Sequence, residues 1–135
     1  MDAGTREFVR QRAGEGCEYC RLPKALDALP FHIDHIVASV HGGSDEASNL
    51  CWACTQCNLH KGTNFASIDP DTQARVDLFN PREDAWHDHF AVGADGRIVG
   101  FTPAGRATVR LLDMNGLPQL DLRRELIQQG EYPGN

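Results

Sequence analysis

Five cysteines stand at positions 17, 20, 51, 54 and 57 of a 135-residue chain. Cys17 and Cys20 form one C-x2-C pair, and Cys51, Cys54 and Cys57 form two overlapping pairs. Thiolates at this spacing are zinc ligands, and zinc takes four of them at the corners of a tetrahedron. A shell closed by four thiolates has no position left for water or substrate, so the expected Zn2+ is structural and not catalytic. Two knuckles need four of the five cysteines, and the spare is Cys51 or Cys57. An odd count argues against a disulfide framework. Together with thiolate–zinc chemistry it points to a reducing, cytoplasmic compartment.

The segment between the knuckles is longer than a minimal zinc ribbon needs, so a further element must lie inside it. Residues 30–40, Pro-Phe-His-Ile-Asp-His-Ile-Val-Ala-Ser-Val, read as a strand, with a loop rich in Gly, Ser, Asp and Asn over 41–49. Leu50–Ala53 reads as a second strand and 55–61 as a helix stopped by Gly62. Upstream, residues 4–14 read as a short helix with Phe8 and Val9 facing inward. Downstream, 63–88 is mostly loop, and 89–101 is a hairpin turning at Gly-Ala-Asp-Gly. Thr102-Pro103 opens a helix to about Met114. A last helix, Leu117–Gln129, places Leu117, Leu120, Leu126 and Ile127 on one face and ends at Gly130.

Length bounds the chain to one domain, 1–135. Its 13 basic and 19 acidic residues give a net charge of −6. That excludes a general electrostatic coat for DNA. Nucleic acid is compatible only through a local basic patch or through metal ions held by the chain's own acidic groups. No apolar run is long enough to cross a bilayer, and no membrane partner is expected. Met1–Arg6 lacks the apolar stretch of a signal peptide, and Asp2 after the initiator excludes myristoylation.

The ordered set Cys17-x2-Cys20, His32-Ile33-Asp34-His35-Ile36-Val37, Gly42-Gly43, Asn49-Leu50 and Cys54-x2-Cys57-Asn58-x2-Lys61-Gly62 resembles the zinc-bearing form of the HNH endonucleases. The resemblance covers 17–62. Residues 63–135 resemble the C-terminal extension of a bacterial HNH subgroup and are expected to pack on the core.

The resemblance implies an α+β fold: a ββα-metal unit stapled by a four-cysteine zinc site, with a hairpin-plus-helices extension. It implies hydrolysis of DNA phosphodiesters, duplex or branched, with one divalent cation, Mg2+ or Mn2+. Asp34 takes the place of a metal ligand, a hard oxygen donor suited to such cations. Asn58 takes the place of the second ligand. A third family ligand, a His one turn on, is absent because Gly62 stands there. His35 takes the place of the general base, and its ordinary pKa of about 6.5 suits work near neutral pH. Asn49 holds the backbone that carries this base. The alignment makes Cys17, Cys20, Cys54 and Cys57 the zinc ligands and Cys51 the spare, a small core residue.

Asp34 and His35 are neighbours, and neighbours on a straight strand face opposite ways. The strand must therefore end or bend there for both to serve one site. Lys61 lies on the metal side of its helix and is expected to reach a phosphate oxygen. His60 points away, and His87 and His89 pack in the core and hairpin. Lys61 and the C-terminal Arg106, Arg110, Arg123 and Arg124 have two readings, a local cationic strip that carries DNA binding or scattered solvated surface charge. The contrasting reading is a non-catalytic zinc-ribbon binding or adaptor module, for which four cysteines alone suffice.

Overall fold

The computed structural model describes residues 1–132. Helix α1 spans Ala3–Arg12, and the Asp2 carboxylate caps it by accepting from the Thr5 amide at 2.7 Å. Val9 is buried as expected, but Phe8 is 53% exposed and lies under the Arg12 guanidinium one turn on. The expectation that Phe8 faces inward is thus wrong: a residue adjacent to Val9 is rotated about 100° from it, and the one buried stripe is already taken.

Strands β1 (Phe31–His35) and β2 (Leu50–Cys54) pair antiparallel, with Asp34 opposite Cys51 and His35 opposite Leu50. Strand β1 stops five residues short of the expected end. Ile36 still donates to the Asn49 carbonyl at 2.8 Å, but both backbone groups of Val37 are taken by the Asn49 side chain. With the next ladder position filled by an amide, the chain turns at Ser39–His41. Helix α2 (Thr55–Lys61) follows β2 directly, and Gly62 ends it with φ of 55°.

Beyond α2 lies a hairpin the sequence did not signal, β3 (Ala66–Ile68) with β4 (Arg75–Asp77). Its strands are too short for an alternating pattern to register, and its turn is held by side chains. Asp69 accepts from the Asp71 amide and the Thr72 hydroxyl. Strands β5 (Phe90–Val92) and β6 (Ile98–Gly100) form the expected second hairpin. Helix α3 (Pro103–Leu111) is capped by the Thr102 hydroxyl, which accepts from Gly105 N at 3.0 Å. Helix α4 (Gln119–Gln128) starts after Pro118, so Leu117 lies outside it and is 65% exposed, while Leu120 and Leu126 are buried.

The C-terminal part meets the first knuckle through named contacts. Phe79, Trp86 and Phe90 stack edge-on or tilted at 5.0–5.2 Å, and Tyr19 meets Phe79. Trp86 Nε1 donates to the Tyr19 carbonyl and Tyr132 Oη to the Cys20 carbonyl, both at 2.7 Å. Arg82 is ion-paired with Glu18, whose other oxygen accepts from the β2 amide of Trp52. Among the described residues, no helix is long and apolar enough to cross a membrane.

Candidate active site and metal centre

The sulfurs of Cys17, Cys20, Cys54 and Cys57 lie within 4.8 Å of one another, and all four residues are buried. A tetrahedron with Zn–S bonds of about 2.3 Å has edges of about 3.8 Å. The Cys20–Cys54 sulfur separation is 3.8 Å. The donor set therefore fits a structural zinc. Burial works to raise the Cys17 thiol, but hydrogen bonds from Cys20, Cys54 and Cys57 outweigh it and hold it well below its ordinary value. Cys20 and Cys57 are pushed well above theirs, chiefly by the thiolate that Cys17 supplies. A thiolate at Cys17 favours retained protons on Cys20 and Cys57 until a cation replaces them. Cys51 is outside the cluster, fully buried, and pushed well up by burial and by Asp34 beside it.

Asp34, His35 and Asn58 line one open cleft of about 190 Å³, together with Ile33, Ala38, Ser39 and Gly62. Strand β1 brings Asp34 and His35 there at its last two residues, and α2 brings Asn58. The two side chains themselves face different partners: the Asp34 carboxylate is buried against Tyr19 and Lys61, and the His35 ring faces Asp45. A carboxylate and an amide oxygen are hard donors, and the cleft has room for the waters that Mg2+ keeps. Asp34 and Asn58 are thus oxygen donors of the kind such a cation takes, and the Lys61 ammonium already lies 3.2 Å from Asp34 Oδ2.

Asp34 is held from behind. Tyr19 Oη donates to Asp34 Oδ2 at 2.7 Å, and burial pushes the Tyr19 phenol well up, so it stays a neutral donor. The Cys51 thiol lies 3.5 Å from the same oxygen. Lys61 Nζ lies 3.2 Å from Oδ2 and 3.4 Å from Oδ1. The sequence reading had no access to Tyr19, because its position inside a C-x2-C pair reads only as spacer.

Two expectations are corrected here. Lys61 does not reach toward a phosphate. It is 1% exposed, and its ammonium donates to the carbonyls of His35 at 3.0 Å and Ile36 at 3.2 Å besides pairing with Asp34. Where β1 ends, these carbonyls need donors, and a buried ammonium needs acceptors. The cationic strip does not form either. Arg106 is bidentate to Asp69 at 2.9 Å and also pairs with Asp71. Arg123 is fully buried against the Gly96 carbonyl and Asn115, and Arg124 is bound to Asp121 and the Asp95 carbonyl. Of the four arginines, Arg110 is exposed and Arg124 keeps 43% of its side chain exposed while paired with Asp121.

The Asn49 side chain bonds backbone. Its Oδ1 accepts from Val37 N at 2.9 Å, while Nδ2 donates to Val37 O at 2.9 Å and Ser44 O at 2.8 Å. Gly43 passes so close that a Cβ there would fall 1.7 Å from the Val37 oxygen. His60 Nδ1 bonds the Gln56 carbonyl of its own helix, His89 bonds Thr102, and His87 packs edge-on against Trp86. None of the three lines the cleft. One residue the sequence left as a turn former is Asp45, whose Oδ1 is 2.7 Å from His35 Nε2.

Residues 17–64 match the family model described as HNH endonuclease. No curated protein matches the chain.

Proposed function

We propose, on the match of residues 17–64 to the HNH endonuclease family model, that the chain is a metal-dependent endonuclease hydrolysing DNA phosphodiester bonds. The observation that carries this reading is the convergence of Asp34, His35 and Asn58 on one cleft. Asp34 and Asn58 would hold Mg2+ or Mn2+. Such a cation supplies charge stabilisation at the phosphate and at the departing 3′ oxygen.

The chain's own groups do the rest. His35 accepts the proton of a water as that water's oxygen attacks phosphorus. The P–O3′ bond breaks, leaving a 5′-phosphate and, after protonation by solvent, a 3′-hydroxyl. Asn49 fixes the backbone that follows His35. Lys61 and Tyr19 hold the Asp34 carboxylate against the wall of the cleft, which makes Lys61 a positioning residue. A zinc held by Cys17, Cys20, Cys54 and Cys57 would staple β2 and α2 to the N-terminal knuckle. Buried unpaired thiols support a reducing, cytoplasmic setting for the protein.

Zinc-loaded protein is expected to nick supercoiled plasmid with Mg2+ or Mn2+ and to stop on addition of EDTA. His35→Ala is expected to abolish nicking while zinc content and melting temperature hold. Undiminished cleavage by that variant removes His35 from the role of base. No cleavage by the wild type with either cation favours the non-catalytic zinc-ribbon module.

A further inference from the structure

The general-base reading leaves open which ring nitrogen of His35 faces the water and what decides it. Two observations bear on this. His35 Nε2 lies 2.7 Å from Asp45 Oδ1. Among the described residues, no protein group is hydrogen-bonded to Nδ1.

The contact belongs to a built loop and not to two wandering side chains. Asn49 binds both strands of the loop at once: Val37, two residues after His35, and Ser44, one residue before Asp45. Gly43 N donates to the Ala38 carbonyl at 3.1 Å, and its missing Cβ permits the approach to Val37. Gly42 takes φ of 87° to make the turn. Four adjacent features therefore set the distance between His35 and Asp45.

A carboxylate only accepts hydrogen bonds. The hydrogen bond to His35 holds the Asp45 carboxyl below its ordinary value, so it is anionic across the neutral range. Nε2 must then carry the hydrogen, and in the neutral ring the lone pair falls on Nδ1.

We propose that Asp45 is a positioning residue that fixes His35 as the Nε2–H tautomer, so that Nδ1 is the nitrogen that takes the proton from water. This rests on the reading of His35 as the base. Asp45 is not among the residues lining the cleft: it acts through the imidazole.

The test uses full-length zinc-loaded protein and two readouts. Long-range 1H–15N correlation of the His35 ring, recorded without Mg2+ or Mn2+, reports the tautomer directly. Wild type is expected to show Nε2–H alone, and Asp45→Ala a mixture of both forms. In plasmid nicking, Asp45→Ala is expected to lower kcat about 10- to 100-fold, part of the 10²–10⁴ that acid–base catalysis supplies. The KM for DNA and the half-saturating Mg2+ concentration should stay within about twofold, since Asp45 lies outside the cleft lining. Asp45→Glu should recover part of the loss. Asp45 is two-thirds exposed, so its variants are expected to keep zinc and melting temperature.

A wild-type ring already in the Nδ1–H form, or a tautomer ratio unchanged by Asp45→Ala, overturns the proposal. So does full kcat in that variant. A tautomer change together with full activity of His35→Ala leaves the Asp45 contact standing and removes the base reading instead. Loss of activity in His35→Ala with both readouts silent in Asp45→Ala does the reverse.

Discussion

Lys61 Nζ sits 3.2 Å from Asp34 Oδ2 with the two side chains 1% and 4% exposed. A pair this buried stands or falls together. Truncating one member leaves the other charge uncompensated, at a cost of about 3–5 kcal/mol. Lys61→Ala is therefore expected to lower stability by that amount in urea denaturation of the zinc-loaded protein. If Lys61 instead served as a phosphate contact, the variant would keep its stability and lose about one unit of the salt dependence of DNA binding. We expect that slope to be unchanged.

The contrast between Lys61 and the zinc ligands shows what was legible in the sequence. Cysteine spacing is local and chemically specific, so a four-thiolate site and the β-β-α order around it could be read directly, while the choice of Cys51 as the spare came from the family resemblance. The direction of Lys61 depends on where β1 ends, and that depends on Asn49 replacing a strand partner twelve residues away. The arginines were legible only as charges, because their partners Asp69 and Asn115 lie on other elements. Asp45 looked like any turn residue until the loop was folded. Short hairpins such as β3–β4 escape because three residues cannot display a period.

Zinc uptake is expected to release protons. Cys20 and Cys57 hold theirs above the ordinary thiol range in the metal-free cluster, and coordination requires thiolates. Calorimetric titration with Zn2+ in buffers of differing ionisation enthalpy should show this release, and affinity should fall as pH falls. Cys54→Ala, which also removes the acceptor capping α2, should lose both zinc and fold. Heat of binding independent of the buffer would mean that the thiols are already ionised.

Acid should weaken the fold through Asp69. The Arg106 guanidinium, with the Asp71 amide and the Thr72 hydroxyl, holds the Asp69 carboxyl well below the usual carboxylate range. Its unfolded value is about 3.9. A group depressed in the folded state contributes its full stabilisation above the unfolded value and loses it as pH falls toward the folded one. Wild type should therefore lose melting temperature progressively below about pH 4. Arg106→Gln should start lower at pH 7 and show a smaller further loss. Parallel melting curves for the two proteins between pH 7 and pH 3 would assign acid sensitivity elsewhere.

Asn49 offers a sharper discrimination, because its amide both donates and accepts. Asn49→Ala deletes three hydrogen bonds, each contributing about 1 kcal/mol net, and frees the loop that holds His35 and Asp45 together. Asn49→Asp keeps the shape and the acceptor for Val37 N. It also turns the other end into an oxygen facing two carbonyls, Val37 O and Ser44 O, which then lose their donor. If Asn49 works through this clamp, the isosteric Asp variant should be at least as damaging as Ala, in stability and in nicking rate alike. If the side chain matters only as a polar filler, Asp should restore most of what Ala loses. Urea denaturation and plasmid nicking of the two variants side by side separate these outcomes.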